Sequence, residues 1–184
     1  IVDLAHARKL SVQAWINPLR LMSSSDIAKV SSTYKVAEWY QSSTYNGKYV
    51  VLYNNYYYLN PAYEEVRQLI IDGAVEICNL YDVDGVHMDD YFYPTTASSF
   101  DSAAYNSYTG SLSLANWRRQ NLNLLVSGLY SAIKAVDPDI LFGISPAGNM
   151  STVYNSQYAD VYTWCSTAGY IDYICPQVYF GMKH

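Results

Sequence analysis

Charged residues are scarce in this sequence, at 15% of 184 positions. Only 11 residues are Lys or Arg, they form no cluster, and the formal net charge is −5 at pH 7. Nucleic acids and anionic membranes are recognised mainly through clustered positive charge. The composition therefore argues against both as partners.

Long apolar runs and short cofactor motifs are also missing. No run of about 18 apolar residues is present, which predicts that no segment of this sequence spans a bilayer. Neither a Gly-rich phosphate loop nor a Gly-x-Ser-x-Gly nucleophile motif occurs, and we expect no cofactor. No signal peptide is recognisable, although a sequence that begins at Ile1 leaves a processed form open.

Cysteine and histidine are rare, at three residues each. Cys78, Cys165 and Cys175 share no metal-ligand spacing. We predict that all three are buried, unreactive thiols, the usual state of isolated cysteines. They give no indication of the compartment in which the protein works.

Apolar and aromatic side chains, by contrast, are abundant. Apolar residues reach 51%, which is enough to fill the core of one domain, and 21 positions are Tyr. A Tyr side chain combines an apolar ring with a polar hydroxyl, so a Tyr-rich surface can stack on sugars.

Four apolar strands alternate with helical segments, a pattern that predicts β/α units around a parallel sheet. A complete (β/α) barrel needs about 250 residues. We therefore predict an α/β fold of TIM-barrel type, with residues 1–184 forming a single partial barrel of about four β/α units plus a β-hairpin. Half a barrel leaves two sheet edges unpaired, and we expect either the rest of a barrel or a second copy to cover them. The predicted strands are residues 11–16, 83–89, 140–145 and 171–179, and the hairpin is 48–59 with its turn at Asn54-Asn55.

The helices are predicted from their caps and breakers. Asn60 is expected to cap a helix that has Pro61 in its first position, and Asp137-Pro138 is expected to end a second long helix. The remaining expectations are a helix over 114–136, a helix within 26–40 of the polar connection 19–45, a long loop over 95–113 and a short helix within 156–166.

The stretch from Tyr81 to Pro94 contains the strongest candidate site. Side chains alternate between the two faces of a strand, so His87 and Asp89 share the face opposite to Val86. If helices cover the Val86 face, Asp89 lies at the strand's carboxyl end, where parallel α/β proteins place their chemistry. By the same alternation Asp90 points away, unless the strand ends before it.

Five stretches carry a resemblance to a known family: QAWINPLR at 13–20, LNP at 59–61, DGVHMDDYFYP at 84–94, GISP at 143–146 and IDYICPQVY at 171–179. With them the sequence resembles the glycosyl hydrolase-like 10 family of bacterial TIM-barrel proteins. The stretches follow the family's order over almost the whole chain, and the one at 84–94 is specific. By this comparison the chain is similar to the third to sixth β/α units.

The resemblance implies a hydrolase of glycosidic bonds, extracellular or in the bacterial cell envelope, acting on peptidoglycan glycan strands. Residues 85–89 are also similar to the fourth strand of amylase-type barrels, which makes Asp89 the expected catalytic carboxylate, either as nucleophile or as support for an oxocarbenium-like centre. Asp90 is the second catalytic candidate, since some hexosaminidase mechanisms use adjacent acids to steer the acetamido group and to protonate the leaving oxygen. Asp101, on the long loop, is a weak further candidate, and the general acid is otherwise expected outside this chain.

The remaining strand-end residues are expected to bind the sugar. His87 bonds either Asp89 or a sugar hydroxyl, or it is a satisfied buried histidine. Arg20 binds substrate or forms a surface salt bridge, and Trp15 is either a core residue, which we favour, or a stacking platform. The predicted substrate-binding residues are His87, Tyr91, Tyr93, Asn17, Arg20, Trp15, Asn149, Gln177 and Tyr179.

Two other functions stay open. A non-catalytic carbohydrate-binding or degenerate barrel module would keep the aromatic surface without turnover. A metal-dependent polysaccharide deacetylase would use His87, Asp89 and Asp90 as ligands. No His-x-x-x-His pair supports that reading, and the only other internal histidine is His6, so we predict no metal site.

Overall fold

The computed structural model describes residues 1–179 and residue 181, and within them the chain is an α/β protein with seven strands and seven α-helices. Two short 3-10 helices, Ile27–Lys29 and Ser98–Phe100, complete the regular structure. No helix of the described residues is long and apolar enough to cross a membrane. In chain order the elements are α1 Val2–His6, β1 Gln13–Ile16, β2 Arg20–Ser23, α2 Lys35–Gln41, β3 Val50–Tyr53, β4 Tyr56–Leu59, α3 Glu64–Leu80, β5 Gly85–Met88, α4 Ser102–Asn106, α5 Leu114–Val136, β6 Leu141–Ile144, α6 Met150–Asn155, α7 Val161–Ser166 and β7 Tyr173–Ile174.

The main sheet has the order β1-β5-β6-β7, and all of its pairs are parallel. These are the four predicted strands, each shorter than expected. Helices separate consecutive strands of this sheet, as in β/α units. The prediction of an α/β fold of partial-barrel type is confirmed.

The two faces of the main sheet differ in the way that alternation predicts. Val86 and Met88 are fully buried and belong to the same apolar cluster as Leu125 of α5. The other face carries His87 and Tyr173, which are half-buried. The Tyr173 ring lies across Gly143, where a Cβ atom would meet the ring at 2.0 Å, so only glycine fits beneath it. This second face is the one that a closed barrel would enclose.

The predicted hairpin is part of a second, antiparallel sheet. Strands β3 and β4 pair as expected, and Asn54 and Asn55 both have positive φ in the turn. Strand β2 pairs with the free side of β4, giving the order β2-β4-β3. The prediction of a polar connection over 19–45 missed this strand, because its four residues gain their partners only when the hairpin docks beside them.

Several helix predictions need correction. The helix within 26–40 is shorter and later, since α2 covers Lys35–Gln41. Asn60 does not cap α3, which begins at Glu64 after Tyr63; instead the Asn60 side chain accepts a hydrogen bond from Ala62 N and donates one to Lys48 O. The segment 95–113 is not a plain loop, since it contains a 3-10 helix and α4. The short helix predicted within 156–166 is confirmed by α7, whereas α6 lies wholly before that range and was not predicted. Helix α5 matches its prediction, with Ser113 as the N-cap.

The cysteines do not share one environment. Cys78 is buried in α3, as predicted, but Cys165 and Cys175 are exposed. The prediction was wrong for these two, because Cys165 lies on the outer side of α7 and Cys175 follows the last strand at the edge of the sheet.

Candidate active site

A cleft of about 420 Å³ opens at the carboxyl ends of the main-sheet strands. Its lining comes from the ends of β1, β5 and β6 and from the segment after β7. This is the position at which parallel α/β folds bind ligands, because strand ends and their loops meet there. The lining residues are Trp15, His87, Asp89, Asp90, Tyr91, Ser145, Gln177 and Tyr179.

Asp89 lies at the base of this cleft, directly after β5. The residue is 6% exposed, and its Oδ1 atom accepts hydrogen bonds from Asp90 N at 2.8 Å and from Gln177 Nε2 at 3.1 Å. The same Gln177 nitrogen donates to Ser145 O at 3.0 Å, which anchors the amide. The Asp89 carboxylate is therefore held in one orientation by groups from three strand ends.

Asp90 shares the cleft with Asp89. Alternation would turn it away, but β5 ends at Met88, so the chain is free to bring both acids to one side. Burial and the neighbouring Asp89 carboxylate raise the pKa of the Asp90 carboxyl above its ordinary value of 3.8. Asp90 thus keeps its proton to a higher pH than a solvated aspartate does.

His87 forms part of the cleft wall and is held by the next strands of the sheet. Its Nδ1 atom lies 2.7 Å from the Tyr173 hydroxyl, and the two rings are stacked. The Tyr173 hydroxyl in turn donates to Gln13 Oε1 of β1. Sequence reasoning missed Tyr173 and Gln13, although both share the alternation face of His87 and could have been found from the register.

Three aromatic side chains flank the acids and are open to solvent. Trp15 is 71% exposed, so the favoured core interpretation is wrong and the ring is available as a platform. Tyr91 and Tyr179 are 38% and 87% exposed. Flat, exposed rings beside polar groups suit the apolar faces of sugars.

Tyr93 and Asn149 are not in the cleft. Tyr93 is 2% exposed and packs against Phe100 and Tyr158, so it cannot stack on a sugar. The Asn149 side chain caps α6 by accepting a hydrogen bond from Thr152 N at 3.1 Å. A strand-end position alone did not separate these residues from the cleft residues.

Asn17 and Arg20 also lie outside the cleft lining. The Asn17 Oδ1 atom accepts a hydrogen bond from Arg20 N at 3.3 Å. The Arg20 guanidinium lies between two aromatic rings, 4.1 Å from the centroid of Tyr56 and 4.6 Å from that of Tyr91. Neither a surface salt bridge nor a direct place in the cleft describes Arg20; it touches the site through Tyr91.

Asp101 is excluded as a further catalytic acid. Its side chain is fully buried and receives two hydrogen bonds from Arg118, Nε to Oδ2 at 2.7 Å and Nη2 to Oδ1 at 2.6 Å. Arg118 also donates to Thr95 O and Ala97 O. The pair fastens the 95–113 segment to α5.

The described residues do not form a metal site. Among residues 1–179 and 181, no three His, Cys, Asp or Glu side chains converge well enough to hold a metal ion. His6, the other internal histidine, lies at the opposite end of β5, with Nε2 2.9 Å from Asp84 Oδ2. The donor set that a polysaccharide deacetylase requires is therefore not assembled in this part of the chain.

Comparison with solved structures agrees with the fold. The cycloisomaltooligosaccharide glucanotransferase of Paenibacillus sp. aligns over 97% of this chain and 23% of its own length, with a TM-score of 0.58 and 15% identity. The galactosidase domain of an alpha-galactosidase-sucrose kinase aligns over 96% of this chain and 20% of its own length, with a TM-score of 0.52 and 17% identity. At these identities the likeness shows the fold alone.

Sequence comparison identifies relatives that are longer than this chain. Glycosyl hydrolase YngK of Bacillus subtilis (strain 168) is 35% identical over 204 residues, which cover 99% of this chain and 38% of that protein. Glycosyl hydrolase DigH of Escherichia coli (strain K12) is 32% identical over 199 residues, 98% of this chain and 45% of that protein. The chain thus spans less than half the length of either relative. The model of the glycosyl hydrolase-like 10 family matches residues 1–183. Because that match extends over nearly every residue, the chain belongs to the glycosyl hydrolase-like 10 family.

Proposed function

We propose that the cleft at the strand ends is the catalytic centre of a glycoside hydrolase in which Asp89 and Asp90 act as a pair. The observation that carries the proposal is the convergence of two adjacent carboxyl groups with different surroundings. Asp89 accepts two hydrogen bonds and is fixed in place, whereas the pKa of Asp90 is raised. Titratable pairs whose environments differ in this way typically divide the acid and base roles of a reaction.

The adjacency of the two acids favours one class of mechanism. The usual two-carboxylate scheme places the carboxyl groups at least about 5 Å apart on opposite sides of the bond, whereas substrate-assisted enzymes are an exception. In a substrate-assisted route, the acetamido oxygen of the sugar attacks the anomeric carbon while Asp90 gives its proton to the leaving oxygen. Asp89 stabilises the positive charge that develops on the acetamido group. Water then attacks the anomeric carbon, and its proton passes to the Asp90 carboxylate.

This chemistry suggests the substrate. A substrate-assisted route needs an N-acetylated sugar, and peptidoglycan glycan strands consist of such sugars. The named relatives are bacterial glycosyl hydrolases. We accordingly propose peptidoglycan glycan strands as the substrate and the bacterial cell envelope or the extracellular space as the place of action.

The face of the main sheet that a closed barrel would enclose is open to solvent in the described residues. Trp15 stands 71% exposed on the face that a closed barrel would enclose. We propose that further β/α units, or a second copy of the chain, cover this face and complete the substrate groove.

The test is release of new reducing ends from purified peptidoglycan, compared for the wild-type protein and Asp89→Asn. Wild type should release soluble glycan fragments, and Asp89→Asn should not, while both bind the glycan in calorimetry. A neutral glucan without acetamido groups serves as the substrate control and should be left intact. Glycan binding by both proteins without any turnover would replace the hydrolase proposal by the carbohydrate-binding module.

A further inference from the structure

A second and larger groove runs beside the acid cleft. Its volume is about 690 Å³, against about 420 Å³ for the acid cleft. One wall comes from the hairpin, through Tyr53, Tyr56 and Tyr58, and the other from the segments that follow β5 and surround α6. We call this space the tyrosine groove.

The lining of the tyrosine groove is uncharged. All of its side chains are those of Tyr, Asn, Thr, Ser, Gln or Pro. A phosphate, a carboxylate or a basic peptide would find no complementary charge in such a lining. Phenol rings with hydroxyl and amide groups between them suit a neutral, polyhydroxylated ligand, which stacks one face of its ring and hydrogen-bonds through its edges.

One unsatisfied atom marks the end of the groove nearest the acids. The Gln157 side chain donates through Nε2 to Asp90 O at 3.4 Å, but its Oε1 atom is buried and accepts no hydrogen bond within the described residues. Buried polar atoms in folded proteins normally have a partner. Because Oε1 is closed to solvent, the Gln157 amide has to rotate before a hydroxyl or amide N–H of a bound sugar supplies that partner.

The groove and the acid cleft share a wall. The Tyr91 side chain lines both spaces, and the guanidinium of Arg20 contacts both this ring and that of Tyr56 in the hairpin. A polymer that has one linkage at the acids can therefore continue over Tyr91 into the tyrosine groove, whose lining is uncharged.

We infer that the tyrosine groove is a sugar-binding subsite for uncharged units of the same glycan chain whose linkage lies at Asp89 and Asp90. The inference rests on the proposed function for the identity of the chain, and it adds that the preferred ligand is an extended glycan rather than a disaccharide. The antiparallel sheet, which is an excursion from the β/α pattern, then has a role: it supplies the aromatic wall of the subsite.

Binding of chitin oligosaccharides of increasing length, measured by calorimetry on the Asp89→Asn protein, tests this directly. Affinity should rise with length and then level off once the groove is filled. Replacing Tyr53 by Ala should lower the affinity for the long oligosaccharides by about tenfold, with little change for the disaccharide, because only the long ligands reach this ring. Replacing it by Phe should restore most of the loss, since the ring remains.

Two further variants distinguish loss of binding from loss of folding. Thr96→Arg fills the groove from an exposed position without removing any core contact and should abolish the length dependence. Tyr34→Ala removes a 65% exposed tyrosine outside the groove and should bind like the parent. Affinity that does not depend on length, or a Tyr53→Ala protein that behaves like Tyr34→Ala, would overturn the subsite. Length-dependent binding without turnover by wild type would keep the subsite and overturn only the hydrolase proposal.

Discussion

The two ends of strand β5 carry aspartates in opposite electrostatic surroundings. At the amino end, Asp84 Oδ2 accepts hydrogen bonds from Val12 N at 2.6 Å and from His6 Nε2 at 2.9 Å, and these bonds lower the pKa of Asp84. At the carboxyl end, Asp89 and Asp90 share a cleft whose described lining includes no Lys or Arg, and the pKa of Asp90 is raised.

The difference separates acids with a structural role from the pair that we propose to be reactive. Asp84 ties β5 to β1, and Asp172 does the same between β7 and β6, accepting from Phe142 N at 2.7 Å and from Lys134 Nζ at 2.8 Å. These acids stabilise strand neighbours and are matched by donors. Asp89 and Asp90, at the carboxyl end of β5, differ from each other in their surroundings, which is the condition for proton transfer at a useful pH.

Asparagine substitution at each end of β5 tests the distinction between Asp84 and Asp89. Asp89→Asn should lower kcat by about 10³-fold, because it removes a positioned charge at the reacting centre, with little change in melting temperature. Asp84→Asn should lower the melting temperature and leave kcat of the folded protein near wild type. Turnover on peptidoglycan and thermal unfolding of both variants provide the check. A kcat loss of equal size at position 84 would erase the distinction.

The buried ion pair of Asp101 and Arg118 tests whether an aspartate with a cationic partner has a structural role. Asp101 and Arg118 are both fully buried, so Arg118→Met leaves an unpaired charge and should lower the free energy of unfolding by about 3–5 kcal/mol. Arg119→Met is the matched control on the next residue of α5, where the guanidinium lies over the Tyr154 ring at 3.9 Å. The free energy of unfolding of this control should fall by about 1 kcal/mol or less. Urea unfolding of the two variants makes the measurement, and equal losses would contradict the assignment.

Gln177 is expected to position the acid pair, and its substitution should reduce kcat less than substitution of Asp89 does. Its amide donates to Asp89 Oδ1 and also lowers the pKa of Asp90. Gln177→Ala should reduce kcat by about tenfold, the worth of one hydrogen bond to a charged group. It should also move the alkaline limb of the kcat–pH profile upward, because Asp90 then keeps its proton to a higher pH. Gln68→Ala, exposed on α3, is the control; a kcat loss without a displaced limb would point to a structural role only.

The sequence was sufficient for the parallel sheet and for the position of Asp89, because both follow from apolar alternation and chain order. It was insufficient for Asp90, whose direction depends on β5 ending one residue earlier than the pattern indicated. Tyr93 and Trp15 lie in the opposite environments to those expected, because burial depends on partners that sequence order does not give. Tyr93, for example, packs against Tyr158, which is distant in sequence. Strand β2 was missed because its pairing with the hairpin is also non-local.

Stability at the amino end of β5 is expected to depend weakly on pH. The hydrogen bond to Asp84 raises the pKa of His6 above 6.5. A raised histidine pKa contributes stability that is fully present below the unfolded value of 6.5 and is lost as the pH rises through the folded value. The melting temperature of wild type should therefore exceed that of His6→Gln more at about pH 5.5 than at about pH 8.5. Asp84→Asn should remove this pH dependence from the wild-type background, since it removes the partner. If the difference between wild type and His6→Gln is the same at both pH values, the ion pair does not hold α1 to β5, and the amino end of the strand is fastened by the Val12 amide alone.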